Sequence, residues 1–442
     1  MTKLKDKKVG VISLGCDKNR VDSERLLAIV GENFTVTNDI SSANVIIINT
    51  CAFLESARAE AIQTIFETNE YRDIGNLEKI IVTGCLPQKF INEIFDDLFE
   101  VDAFLGINDY DLIPLAISEI YKGNRVNFVG KNKNFYKKER IMTTVCHYSY
   151  LKIADGCNNK CTYCLIPKIR GEYNSTKMEL LVEEAKSLGE LDELILVAQD
   201  VTRYGIDLYG KPLIVTLIQK LSQLDNINKI RLLYCYPDMI SDELISEIKN
   251  NDKVIKYLDI PLQHADDKIL KLMNRKGTAN EYLNLINKLR AEIPSIAIRS
   301  TFITGFPCED ENAFNNLVDF IKKAKFTNCG FFAYSREYDT PAYKLPNQVD
   351  EEVKEKRVKK LYSVQKAISK KFLNGFIGKE IEVICDGIDY DKQCFVGRAY
   401  FNAPDVDGKV YFTSDDIVNQ GERYIVLIDG TDSYDLYGGV KQ

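Results

Sequence analysis

Between residues 8 and 106 the apolar positions fall in short continuous runs rather than in alternation: KVGVISL (8–14), NVIIIN (44–49), KIIVTG (79–84) and AFLG (103–106). Such runs mark strands covered on both faces. Helix-like segments at 22–30 and 54–70 lie between them, so the pattern predicts an open parallel α/β domain over 1–130. Residues 131–149, KNKNFYKKERIMTTVCHYS, are basic and aperiodic and read as a linker. Six more strand-like runs follow, at 150–154, 193–198, 230–236, 254–260, 296–303 and 329–335. Helix-length segments separate them, which predicts a partial parallel β/α barrel within 141–375. Val358, Leu361, Val364, Ile368 and Phe372 recur at helical spacing, so 350–376 reads as one long helix stopped by Gly375 and Gly378. From 376 to 442 short alternating runs broken by Gly, Asp and Asn predict a small antiparallel β-barrel of the kind used as a binding module.

Composition narrows the setting. No apolar run approaches the roughly 20 residues of a membrane span, and the opening MTKLKDKKVG lacks the apolar core of a secretory signal. The expectation is a cytoplasmic protein without a membrane partner, in which the twelve cysteines are metal ligands or core residues rather than disulfides. Two histidines leave little scope for histidine-based metal or acid–base sites. The net charge of −7 resides in the last domain: Gly378–Gln442 holds 13 acidic and six basic residues, and the remainder is neutral. That domain is poorly suited to a phosphate backbone and suits a basic protein partner; on charge alone it equally fits a solvated acidic surface.

The densest chemistry is ADGCNNKCTYCLIP (154–167), where Cys157, Cys161 and Cys164 follow the first barrel strand. Ligands bind at that end of α/β strands. Three thiolates in a short loop suit an iron–sulfur cluster with one iron left open. Zinc with a distant fourth ligand, or three unrelated core cysteines, are the alternatives. In the first domain Cys16, Cys51 and Cys85 each stand just beyond a different parallel strand, and such ends converge in one crevice. They read as a second three-thiolate set, with Gly15, Asn19 and Asn49 tightening the loops and Arg20 as counter-charge. The cysteines at 146, 235, 308, 329, 385 and 394 show no such convergence and read as structural.

The C-x3-C-x2-C run with Tyr163 before its last cysteine resembles the radical S-adenosylmethionine superfamily. The resemblance implies a [4Fe–4S] cluster whose open iron is chelated by S-adenosylmethionine, and reductive cleavage of that cofactor to a 5′-deoxyadenosyl radical. STFITGFPCE (300–309) resembles the superfamily segment lining the adenine. The resemblance casts Tyr163, Gln199, Gln263 and Arg299 as cofactor-binding; the alternative is ordinary polar support of barrel-end loops. No acid–base pair beyond the cluster ligands is implied.

Two three-cysteine sets and a small C-terminal barrel together look like the methylthiotransferases, with a TRAM-like last domain. That implies two [4Fe–4S] clusters and S-adenosylmethionine as both methyl donor and radical source. VISLGCDKNRVDSE (11–24), AQDVTRYG, IRLLYCYPD, DIPLQHA and GRAYFNAPDVDG resemble the RimO type, which acts on the β-carbon of an aspartate in the small-subunit ribosomal protein uS12. The competing MiaB type acts on tRNA adenosine. The acidic tail agrees with a basic ribosomal protein rather than tRNA. A flavodoxin- or ferredoxin-type reductant is the further partner implied. A non-catalytic electron carrier is the alternative from another class. Two positions depart from the pattern: Cys308 where glycine is usual, and Arg336 where proline is usual.

Overall fold

The computed structural model describes residues 4–132 and 135–441; Lys133 and Asn134 of the expected linker, Met1–Lys3 and Gln442 lie outside them. The chain gathers into two compact units. One comprises residues up to 144 with 150–159 and 164–187; the other comprises 145–149, 160–163 and the chain from 188 onward.

In the first unit β1 (Lys8–Ser13), β2 (Thr35–Val36), β3 (Val45–Thr50), β4 (Lys79–Gly84), β5 (Ala103–Leu105) and β6 (Val126–Phe128) form an all-parallel sheet ordered β2-β1-β3-β4-β5-β6. The packing of β3 shows why its apolar run is continuous. Ile46 and Ile48 face Ala61 and Ile65 of the helix Glu55–Asn69, and Val45 and Ile47 face Leu26, Ile29 and Val30 of the helix Asp17–Asn33. Each such side chain contributes about 1.5–3 kcal/mol by leaving water. The strand order reverses between β1 and β3, the place where open α/β sheets bind ligands beyond their carboxyl ends.

Residues 135–144 are not a free tether. The Arg140 side chain is buried, with Nη1 3.2 Å from Glu184 and Nε 3.5 Å from Glu24, and the backbone and hydroxyl of Thr143 each donate to Glu24 at 2.9 Å. The basic run is therefore partly consumed by buried carboxylates of its own unit. After it come β7 (Tyr148–Lys152) and a short antiparallel pair, β8 (Ala154–Asp155) with β9 (Asn174–Ser175).

The second unit is built on β10 (Leu191–Val197), β11 (Ile227–Leu232), β12 (Val254–Asp259), β13 (Ala297–Thr304) and β14 (Asn328–Ala333), all paired in parallel. The sheet order β14-β13-β12-β11-β10-β7 is open, a half-barrel. The long helix spans Glu351–Asn374 and lies against β14. Its buried line differs from the apolar face expected. Leu361 is buried, but Val358, Val364, Ile368 and Phe372 are only partly so, and the fully covered positions include Lys354, Arg357, Gln365 and Ser369. The reason is the sheet edge, whose carbonyls need donors. Lys354 Nζ donates to Tyr334 O (3.0 Å), Gln365 Nε2 to Phe326 O (2.9 Å) and Ser369 Oγ to Thr327 O (3.2 Å).

β15 (Glu380–Asp389), β16 (Cys394–Arg398), β17 (Val410–Thr413), β18 (Arg423–Thr431) and β19 (Leu436–Val440) close a five-stranded barrel. It is not wholly antiparallel: β17 pairs with β19 in parallel. Five strands of the half-barrel each send one polar side chain to residues 398–407. Glu193 pairs with Arg398 (2.9 Å) and Arg231 donates to Tyr400 O (2.9 Å). Tyr257 donates to Asp407 (2.7 Å), Arg299 pairs with Asp407 (3.4 Å), and Asn328 donates to Phe401 O (2.9 Å). Among the described residues no helix is long and apolar enough to cross a membrane.

Candidate functional site

Cys16 caps the helix Asp17–Asn33, Cys51 directly follows β3, and Cys85 opens the helix Cys85–Ile94 directly after β4. The structure thus brings the three to the carboxyl ends of adjacent strands, close enough for the charges of Cys16 and Cys51 to act on Cys85. Two of the three sit at helix amino ends, whose positive partial charge favours thiolate. Gly15 and Gly84 set the approach. Both have positive φ (94° and 95°), and a Cβ at Gly15 would lie 2.8 Å from Cys51 Cβ, one at Gly84 2.7 Å from the Thr50 backbone nitrogen. Asn19 binds the loops together, donating from Nδ2 to Leu14 O and Thr50 O, both at 3.1 Å. Asn49 donates to Asn19 O (3.1 Å) and Ser23 Oγ (2.8 Å).

Burial pushes the Cys85 thiol up to about 12, and the Arg170 guanidinium is the first influence opposing that. Burial likewise raises Cys51. Arg170 is buried and its Nη2 lies 3.7 Å from Cys85 Sγ. A cysteine placed only to fill the core does not need a buried cation aimed at its sulfur. Arg20, the counter-charge expected from the sequence, has its guanidinium 5.9 Å from the Tyr150 ring centroid.

In the Cys157–Cys164 loop each sulfur meets a donor. Asn159 N lies 3.4 Å from Cys157 Sγ, and Ile166 N 3.4 Å from Cys164 Sγ. In the second unit Cys161 Sγ is 3.4 Å from Tyr236 Oη and 4.0 Å from Arg275 Nη1, with Arg275 stacked 3.9 Å over the Tyr236 ring. Cys157 and Cys161 are buried and Cys164 is partly so. Among the described residues no three His, Cys, Asp or Glu side chains close around one point as they would for a single metal ion. Donors set against each sulfur of the loop suit thiolate ligands, and three thiolates in one loop suit an iron–sulfur cluster.

Tyr163 packs with Ile269, Met273 and Phe306. Gln199 lies two residues beyond β10. Gln263 has φ 72°, its N–H donates to Thr301 O (2.8 Å) and its carbonyl accepts from Ile303 N (2.7 Å), which pins it beside β13. Arg299, the fourth residue expected to contact the cofactor, meets two carboxylates of its own unit. It is the third residue of β13, its Nη1 donates to Asp259 at 3.1 Å, and its Nε pairs with Asp407. Its charge is met within the fold.

Three residues escaped the sequence reading. Arg170 and Arg275 are distant in sequence from the sulfurs they approach. Glu309 folds the loop after β13, accepting from Thr304 Oγ1 (2.8 Å), Gly305 N (2.6 Å) and Phe306 N (3.2 Å) and pairing with Arg357 (3.1 Å). The sequence signal for Glu309 is its place in the short loop after β13, four residues beyond Gly305. At Cys308 the backbone has φ 68°, a conformation glycine adopts without strain. Arg336 is held by the Tyr343 carbonyl (3.0 and 3.1 Å) and ring.

Residues 151–321 match the radical SAM superfamily, 8–106 the uncharacterized protein family UPF0004, and 377–440 the TRAM domain. The chain is 47% identical to the ribosomal protein uS12 methylthiotransferase RimO of Acetivibrio thermocellus, covering 98% of each. It is 45% identical to the protein of that name from Lachnoclostridium phytofermentans, covering 98% of this chain and 99% of the relative. Among solved structures it resembles the radical S-adenosylmethionine methyltransferase TsrM of Kitasatospora setae, with TM-score 0.57 and 13% identity, covering 76% of this chain and 77% of that one, a likeness of fold alone.

Proposed function

Since the chain belongs to the RimO family of ribosomal protein uS12 methylthiotransferases, we propose that it adds a methylthio group to the β-carbon of an aspartate in uS12. The observation that supports this reading beyond membership is the convergence of Cys16, Cys51 and Cys85 at the ends of adjacent strands, with buried Arg170 against Cys85. A half-barrel with a single cysteine loop accounts for radical chemistry; the second thiol set supplies a place to hold sulfur.

Cys157, Cys161 and Cys164 hold one [4Fe–4S] cluster and Cys16, Cys51 and Cys85 a second. With S-adenosylmethionine, which also provides the methyl group, these groups supply one-electron cleavage chemistry and a sulfur-binding iron. Tyr163, Gln199 and Gln263 are taken as cofactor contacts. Arg299 is reassigned to the seam with the barrel, because the carboxylate side chains of Asp259 and Asp407 on it are both buried. Glu309 holds the loop after β13 closed on its own backbone N–H groups, which fixes the barrel-end geometry. The domain division 1–130, 141–375 and 376–442 assigns sulfur holding, radical generation and substrate docking in turn. The acidic barrel domain favours the basic ribosomal protein, and a flavodoxin- or ferredoxin-type protein supplies electrons in the cytoplasm.

The test is anaerobic incubation of the reconstituted, reduced protein with S-adenosylmethionine and either uS12 or tRNA. Release of 5′-deoxyadenosine and a gain of one methylthio group on a uS12 aspartate are expected. Modification of a tRNA adenosine instead would move the chain to the MiaB-type activity. Absence of 5′-deoxyadenosine would leave only an electron carrier.

A further inference from the structure

Arg170 is placed more elaborately than an ion pair requires. Its Nη1 donates to Asp155 Oδ2 at 2.7 Å and to Asp22 Oδ2 at 3.2 Å. Lys152 already bonds both carboxylates, with Asp155 Oδ2 at 3.0 Å. Two cations against two carboxylates balance, so Arg170 is not needed there for its second edge. That edge, Nη2, turns to Asn19 Oδ1 and to Cys85 Sγ at 3.7 Å. Asn19 is the residue that ties the Cys16 and Cys51 loops together. The planar fork of a guanidinium can serve both edges at once, which a lysine ammonium cannot.

We propose that Arg170 is a positioning residue that raises the reduction potential of the amino-terminal iron–sulfur centre by donating from Nη2 to the Cys85 thiolate. The inference rests on the reading that Cys16, Cys51 and Cys85 hold a cluster. One-electron reduction adds negative charge to a cluster, and a hydrogen bond with a buried positive charge at a ligand sulfur stabilises the more negative state. Asp22, Asp155 and Lys152 hold the fork so that this edge keeps its aim. Loss of Arg170 therefore shifts the potential negative.

The experiment uses the full-length protein carrying Cys157→Ala, Cys161→Ala and Cys164→Ala, so that iron and sulfide can load only the amino-terminal site. Iron content is measured, and the midpoint potential is titrated by electron paramagnetic resonance. Arg170→Gln is expected to lower the equilibrium constant for one-electron reduction about tenfold, about 59 mV. Arg170→Lys keeps the charge without the fork and is expected to fall between. Arg25→Gln is the control, since Arg25 is a buried arginine of the same unit paired with Glu184 at 2.9 Å; it is expected to leave the midpoint unchanged. A loaded parent with unchanged midpoints in both Arg170 variants overturns the inference alone, as does an equal shift in Arg25→Gln. A parent that binds no iron overturns the cluster reading and the inference with it.

Discussion

Replacing Glu193 with Gln tests how the barrel is held on the half-barrel. Glu193 is buried between Arg231 (2.5 Å to Nε) and Arg398 (2.9 Å to Nη1). Burial alone would raise its carboxyl, but the two guanidinium groups outweigh burial and hold it at about 2, against the usual 4.5. At 1.36 kcal/mol per pKa unit that difference is about 3 kcal/mol. The figure agrees with the roughly 3–5 kcal/mol expected when one member of a buried pair is removed. The low end applies, because Arg398 keeps Asp386 at 2.8 Å and Arg231 keeps the Tyr400 carbonyl. The folded value lies below the unfolded one, so the stabilisation is present above about pH 4.5 and fades as pH falls towards 2. Hydrogen exchange over β15–β19, with urea unfolding at pH 7 and pH 3, reads the effect. Glu193→Gln should lose about 3 kcal/mol at pH 7 and less than half of that at pH 3. A loss under about 0.5 kcal/mol at pH 7, or an equal loss at both pH values, would refute the charge argument.

Arg299→Gln should speed exchange in residues 398–407 while changing S-adenosylmethionine affinity less than about threefold; a tenfold loss of affinity with unchanged exchange would return Arg299 to the cofactor. Gly84→Ala places a Cβ against the Thr50 backbone at a φ of 95°, so it should cost about 1–3 kcal/mol and empty the amino-terminal site of iron while the Cys157–Cys164 loop stays loaded. Iron counting with each cysteine set removed in turn checks this. Glu309→Gln leaves one oxygen to meet the Thr304, Gly305 and Phe306 donors and takes the buried carboxylate from Arg357, which keeps Glu311 at 3.5 Å, so denaturation should show a loss of about 2–3 kcal/mol.

What the sequence by itself determined follows from short-range rules. The loop Cys157–Cys164 was legible because its three cysteines lie within eight residues. Cys16, Cys51 and Cys85 were legible although dispersed, because parallel strands deliver their carboxyl ends to one edge whatever surrounds them. The continuous run NVIIIN announced a strand covered on both faces, and Ile46 and Ile47 do pack on opposite sides.

Only the tertiary structure decided the residues whose meaning depends on a distant neighbour. Arg299 reads as a free cation until Asp259 and Asp407 are seen on it. Lys354, Gln365 and Ser369 break the apolar pattern of their helix, and the carbonyls around an edge strand far upstream explain why. The parallel pairing of β17 with β19 has no signature in alternation, which is the same for either direction. Arg170 stands 85 residues from Cys85, and periodicity, which reports only which face of an element is covered, carries no record of the charge that the fold brings to a sulfur.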